Sequence, residues 1–363
     1  MPTRARPRVV RDSPPASAVS KNPFLALLPQ VKRDVDRRLG RFLDAEIESA
    51  RRHGREVAAL VSAIREIGLR GGKRLRPALV VSGFRAANAK ARLEPALEAG
   101  LALELLHVYL LIHDDWMDGD KVRRGGPSAH VLLGKRFRSE RLGDAAAILA
   151  GDYAVGLATA ALSRLVTSAE RSRRIFSCFA EMQLAAVAGQ QLDLLATSSD
   201  VEATYALKTG SYTVDGPLRI GALLAGARAP TLAALSAYAR PVGIAFQLRD
   251  DLLGAFGDPK LTGKPLGSDL TAGKRTALVV QALRRTRGSD RRLLESVLGK
   301  PQAPQPKIER ALQVIERSGA KKAVEQRISE LADIAVAKLD DLVTEDGRRL
   351  LDGAARALTA RQN

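Results

Sequence analysis

From about residue 24 onward, apolar residues recur at the three-and-four spacing of amphipathic helices, broken only by short Gly, Pro and polar turns. The pattern predicts helices over residues 24–50, 55–69, 76–89, 94–119, 142–166, 171–196, 201–225, 230–256, 271–285, 290–299, 306–317, 319–342 and 347–361. Pro301, Pro304 and Pro306 mark a loop. No run alternates apolar and polar residues as a half-buried strand would, and no internal repeat is present. The expected class is all-α, a single helical bundle.

Composition sharpens this picture. Apolar residues make up 45% of the chain and aromatics only 4%, which favours closely packed helices over a β-sandwich rich in Val, Ile, Thr and aromatics. The one cysteine, Cys178, cannot form an internal disulfide, which fits a reducing cytoplasm, and it reads as a small buried apolar residue. No stretch approaches about 18 uninterrupted apolar residues, so no transmembrane segment is predicted. Residues 1–22 carry Arg4, Arg6, Arg8, Arg11 and Lys21 against Asp12 alone, with Pro2, Pro7, Pro14 and Pro15 and no apolar core. That composition predicts a disordered basic tail rather than a secretory signal, leaving 23–363 as a single α-helical domain. The net charge of +18 could steer nucleic acid, anionic lipid or small anions. Without zinc-finger spacing, an RNP-like string or an aromatic platform, no nucleic-acid partner is expected.

Two acidic strings carry the chemistry: HDDWMDGDKVRRG at 113–125 and FQLRDDLLGAFGD at 246–258. Carboxylates in Ala/Leu-rich helices are costly unless cations meet them. All-oxygen sites of this kind suit Mg²⁺, held through one or two carboxylates and the phosphates of a substrate. Asp114 and Asp118 share a helix face, and Asp115 lies alongside. His107, two turns before Asp114, can donate to a phosphate oxygen, although a lone helical histidine more often simply packs. Arg123 and Arg124 follow in a Gly-rich turn, where guanidinium forks suit bidentate phosphate binding. Upstream, GGKRLRP at 71–77 can aim Lys73 and Arg76 into one pocket while Arg74 faces elsewhere. The second cluster supplies Gln247, Asp250 and Asp251, then Lys264 and Lys274 in a loop suited to closing over phosphate. Gln190, Asp193, Lys208 and Thr209, in GQQLDL and LKTGSY, read alone as ordinary helix polarity.

Taken in order over residues 71–276, GGKRLRP, HVYLLIHDDWMDGDKVRRGGPSAH, GQQLDL, KTG, FQLRDDLLGAFGDPKLTGKPLGSD and GKRT resemble the trans-isoprenyl diphosphate synthases, or polyprenyl synthetases. The resemblance implies the all-α isoprenoid synthase fold, a helical bundle around a deep central cavity with both Asp motifs facing across it, usually a homodimer. It implies Asp114, Asp115, Asp118, Asp250 and Asp251 as Mg²⁺ ligands. Arg123, Lys208, Gln247, Lys264 and Lys274 would contact an allylic diphosphate, and Lys73, Arg76, His107 and Arg124 isopentenyl diphosphate. The second motif departs from many members, with Gly254 where they carry a third Asp; Gly254 supplies no ligand, and Asp258 or Asp269 is left as a candidate for a minor role.

The reaction so implied is head-to-tail prenyl transfer. An allylic diphosphate (dimethylallyl, geranyl or farnesyl) loses pyrophosphate, and the cation forms near the Thr209 and Gln247 oxygens. The isopentenyl double bond then attacks, without a protein nucleophile. Tyr109, five residues before Asp114, with Leu110 beside it, resembles the floor that limits chain length in geranylgeranyl diphosphate synthases. On an ideal helix, however, Leu110 lies nearer the Asp114 face. Farnesyl or longer polyprenyl synthesis is the alternative. A class I terpene cyclase would leave the second diphosphate site unexplained, and a non-catalytic anion-binding scaffold would leave both aspartate clusters unexplained.

Overall fold

The structure, a computed structural model, describes residues 22–195, 200–257, 266–339 and 341–360. The expected basic tail, apart from Asn22, and Asp258 and Lys264 lie outside the described residues. Asn22 caps the first helix, α1 (Pro23–Arg51): its side chain accepts from the Leu25 amide at 3.1 Å and donates to the Gly353 carbonyl at 3.0 Å.

Next come α2 (Arg55–Leu69), α3 (Leu75–Ala87) and α4 (Glu94–Met117). Helix α4 is apolar all round, as the central helix of a bundle must be, and every residue from Ala99 to Val108 is buried. It packs on α6 (Glu140–Ser163), whose Ala147, Ala150, Gly151, Ala154 and Ala158 form a stripe that admits α4 closely. Both helices are long and apolar enough to cross a membrane; α4 instead fills the centre of this bundle. The buried charge on α4, Glu104, is matched by Arg74, which also donates to Asp36 at 2.6 Å and to the Gly68 carbonyl at 2.7 Å. Arg74 therefore serves the core, facing away from the chemistry as its sequence position predicts.

The pattern missed three things. Between α4 and α6 runs a minimal antiparallel hairpin, β1 (Val122–Arg123) and β2 (Gly126–Pro127), followed by α5 (Ala129–Phe137). Strands of two residues are too short to show alternation, and α5 is a short helix of about two and a half turns. Residues 201–225, read as one helix, are three pieces: α8 (Val201–Tyr205), a π-helical segment (Ala206–Asp215) and α9 (Gly216–Leu224). The stretch read as 271–285 is likewise α11 (Ser268–Thr271), the GKRT turn and α12 (Ala277–Arg285).

Helices α7 (Ala169–Leu195) and α10 (Ala229–Phe256) flank the π segment. The chain closes with α13 (Gly288–Glu295), α14 (Gln305–Arg317), α15 (Ala320–Val336) and α16 (Glu345–Thr359). The core has two parts. The larger surrounds α4; the smaller packs α12, α14 and α15 on the C-terminal half of α10. Helix α10 belongs to both, with Tyr238 and Val242 in one and Leu248 and Leu252 in the other.

Candidate active site

Asp114 and Asp115 stand in the last turn of α4, and Asp118 caps it. Negative charge is unfavourable at a helix C-terminus, where the peptide dipole is itself negative, so the cluster depends on cations from elsewhere. It has them. Arg123, from the hairpin, donates to Asp115 through Nε at 2.7 Å and through Nη2. Lys208, from the π segment, lies 3.8 Å from Asp114 and bonds Asp193. Lys274, from the GKRT turn, donates to Asp118 at 2.7 Å. Burial opposes the charge on both lysines, but Asp114 and Asp193 for Lys208, and Asp118 for Lys274, more than offset it and hold both ammonium groups above their usual range.

The second cluster is tied to the π segment. Thr209 donates to the Gln247 carbonyl oxygen at 2.6 Å, and the Gln247 amide donates to Asp251 at 3.1 Å. The other Asp251 oxygen accepts from the Tyr205 hydroxyl, which accepts from the Ala277 amide at 2.8 Å. Burial pushes the Asp251 carboxyl up to about 8, with Tyr205 and Gln247 pulling the other way. Tyr205 escaped the sequence reading because it looks like any apolar helix position, yet it fastens the second motif to the start of α12, one turn from Lys274. Gln190, on α7, donates to Asp114 at 3.2 Å. A Cβ at neighbouring Gly189 would lie 2.2 Å from the Lys208 amide nitrogen, so α7 can approach the π segment this closely only with glycine there.

The aspartates divide by burial. Asp115 and Asp251 are 1% and 4% exposed and point at protein partners; Asp114, Asp118 and Asp250 are half-buried. Burial raises the Asp115 carboxyl, with Arg123 opposing, and its Oδ2 finds no hydrogen-bond partner among the described residues. Among the described residues, no three His, Cys, Asp or Glu side chains converge tightly enough to cage a metal by themselves. An all-oxygen set spread over two helices instead fits Mg²⁺ that completes its shell with water and substrate phosphates. At Gly254 a Cβ would lie 2.2 Å from an Asp269 carboxylate oxygen, so Asp269 fills the space where a third aspartate side chain would start.

A second basic cluster adjoins the first motif. Arg76, buried, donates to Thr213 at 2.7 Å and stacks 4.4 Å from the Tyr212 ring centroid. His107 is 8% exposed, its ring 6.2 Å from that of Tyr212. Burial, then Arg76 and Arg124, drive its pKa well below the usual histidine range, so it is neutral. Arg76 Nε and His107 Nδ1 are both buried with no hydrogen-bond partner among the described residues. Two orphaned nitrogens amid several guanidinium groups suit the oxygens of an anion. Arg124 reaches back to the Gly71 carbonyl at 2.9 Å, which brings the two basic strings together. Lys73 is exposed at the edge of the same loop.

Tyr109 and Leu110 are partly buried against the main core. The Tyr109 ring meets His113 edge-on at 4.9 Å, and His113 bonds the Ile148 carbonyl at 3.0 Å. Cys178 is buried, its thiol pushed up to about 12 by burial, and is inert as a nucleophile.

Fold and site together describe an almost wholly helical protein in which carboxylates from two motifs stand beside a basic cluster, an arrangement suited to diphosphate chemistry. A profile of the polyprenyl synthetase family matches residues 57–315. The chain is 38% identical over 266 residues to a geranylfarnesyl diphosphate synthase of Aeropyrum pernix, covering 71% of this chain and 79% of that one. It is 32% identical over 279 residues to a geranylgeranyl diphosphate synthase of Saccharolobus solfataricus, covering 75% and 80%. The crystal structure of a Corynebacterium glutamicum geranylgeranyl pyrophosphate synthase, complexed with isoprenyl diphosphate and magnesium, superposes with a TM-score of 0.85 at 35% identity, covering 92% of this chain and 99% of that one. The chain belongs to the polyprenyl synthetase family and is a trans-prenyltransferase that makes short-chain prenyl diphosphates.

Proposed function

We propose that the chain condenses isopentenyl diphosphate with an allylic diphosphate in the cytoplasm and that its main product is geranylgeranyl diphosphate. The observation that carries a shared site is the 2.7 Å bond from Lys274, just beyond the second motif, to Asp118 of the first. Asp114, Asp118 and Asp250 are the carboxylates available to hold Mg²⁺, while Asp115 fixes Arg123 and Asp251 fixes Gln247. When bound, Mg²⁺ supplies charge neutralisation for the departing pyrophosphate. Lys208, Lys274 and Arg123 hold the same oxygens as the allylic C–O bond breaks, and Thr209 and Gln247 present oxygens to the resulting cation. Neutral His107, with Arg76, Arg124 and Lys73, holds isopentenyl diphosphate, and the lost proton passes to the pyrophosphate. We further propose a homodimer formed through the apolar residues that α6 and α7 leave exposed, among them Leu142, Leu149, Leu184 and Val187.

Product length follows from how far the tail can extend before it meets Tyr109, which His113 braces. The test is chromatography of products from isopentenyl diphosphate with dimethylallyl, geranyl or farnesyl diphosphate, with wild type and Tyr109→Ala side by side. Geranylgeranyl diphosphate from wild type and longer chains from the variant are expected. An unchanged distribution would remove Tyr109 as the floor, and hydrocarbon from an allylic diphosphate alone would point to a cyclase.

A further inference from the structure

Arg70, the residue that follows α2, touches none of the groups proposed to meet substrate, yet it is woven into the hairpin that carries two of them. Its Nη1 donates to the carbonyls of Arg123 at 3.0 Å and Pro127 at 2.7 Å, one on each strand, and its Nη2 pairs with Glu66 one turn back on α2. The guanidinium lies flat against Gly126: a Cβ there would sit 2.6 Å from Arg70 Cζ. Arg124 returns the contact by donating to the Gly71 carbonyl, and a Cβ at Gly72 would press on its guanidinium at 3.0 Å. The backbone at Arg124 is left-handed, with φ 51°, a conformation that a non-glycine residue holds only when its surroundings impose it.

We propose that Arg70 is a positioning residue for the isopentenyl diphosphate site: by clamping both strands of the hairpin to the end of α2, it sets where Arg124 stands, while Asp115 holds the Arg123 guanidinium. The proposal rests on the reading that Arg124 meets isopentenyl diphosphate. A guanidinium fork spans two carbonyls and a carboxylate in fixed planar directions, whereas the three donors of a lysine radiate from one point on a flexible stem. Strands of two residues pair too briefly to hold themselves in place, so side-chain anchors of this kind fix the hairpin.

The test is steady-state kinetics on the full chain with Mg²⁺, each diphosphate varied in turn, for Arg70→Gln, Arg70→Lys and Gly126→Ala, with Arg65→Ala as control. Arg65 makes an exposed pair with Asp44 away from the hairpin. Arg70→Gln and Gly126→Ala should each raise KM for isopentenyl diphosphate roughly tenfold or more and change kcat less, as for a misplaced binding group. Arg70→Lys should fall between them and wild type, and Arg65→Ala should match wild type. A purely structural role would lower the melting temperature and leave KM unchanged in the folded fraction, which would overturn the proposal. Should Arg70→Gln fail to fold, Gly126→Ala decides by the same criterion. Calorimetry of isopentenyl diphosphate without an allylic partner reads the clamp independently of turnover: about tenfold weaker binding in the variants supports it, and equal binding sinks it. A wild-type chain that binds the diphosphate but elongates nothing would defeat the functional reading alone.

Discussion

Asp115 and Asp251 each follow an aspartate of the same type, and each is turned inward onto a protein partner while its predecessor stays half-buried. On α4 this follows from helix geometry, since Asp114 and Asp118 share a face that Asp115 leaves. Two further residues make predictions at this scale. His107 is held neutral by burial and by Arg76 and Arg124, whereas in the unfolded chain it takes up a proton near its ordinary pKa. The unfolded state thus binds more protons, and stability contributed by neutral His107 is present above about pH 6.5 and lost as pH falls below it, by at most about 1.4 kcal/mol per unit. The raised Asp251 carboxyl acts in the opposite sense over this range, so the readout is a difference: between about pH 7.5 and about pH 5.5, denaturant titrations should show wild type losing stability relative to His107→Asn. At the second motif, Gly254→Asp would not restore a missing ligand, because Asp269 already occupies the space. The substitution should lower both activity and stability, and Asp269→Ala should partly rescue it in a double-mutant cycle. Simple additivity of the two changes would disprove the steric account.

Among the elements, the π segment does most to assemble the site. Its wider turn lets neighbouring Lys208 and Thr209 reach different partners, Asp114 and Asp193 for one and Gln247 for the other. Packing at Gly189 maintains that arrangement. Gly189→Ala should cost about 1–3 kcal/mol through the clash with the Lys208 backbone and should reduce turnover. Gly40→Ala, inside α1, where the added methyl would meet only Leu69 Cδ1 at an ordinary 3.9 Å, should be neutral or stabilising by up to about 1 kcal/mol. Thermal melts of the two variants check the contrast. Most long helices were legible from spacing, and α1, α2, α4, α7 and α10 begin and end within two residues of the expected positions. The π segment was not, because apolar periodicity reports that a helix exists and says little about its pitch. The hairpin was not, because its hold on α2 comes from Arg70, and a side chain bonding distant carbonyls leaves no local pattern. The aspartate pairs were visible as charge in an apolar stretch; which member of each pair is buried depends on packing from other helices.

For the whole molecule, the two parts of the core matter because each carries half of the machinery. The first motif rides on α4 in the larger core, and Lys274 leads into α12 in the smaller. Apart from the shared helix α10, the Lys274–Asp118 bond joins them directly across the site. A ligand that engages both motifs should therefore stabilise the assembly as a unit. Inorganic pyrophosphate with Mg²⁺ should do so, and neither alone should do it as well: the anion without metal faces the carboxylates, and the metal without anion lacks most of its shell. At about a hundredfold excess over the dissociation constant, linkage gives about 2.7 kcal/mol, or roughly 3–4 °C in Tm for a chain of this size. Asp118→Asn should weaken the combined effect even where the folded variant melts near wild type. Calorimetric scans with each component alone and together decide the matter. If Mg²⁺ and pyrophosphate act additively, the two motifs bind independently, and the picture of one site spanning both core parts fails.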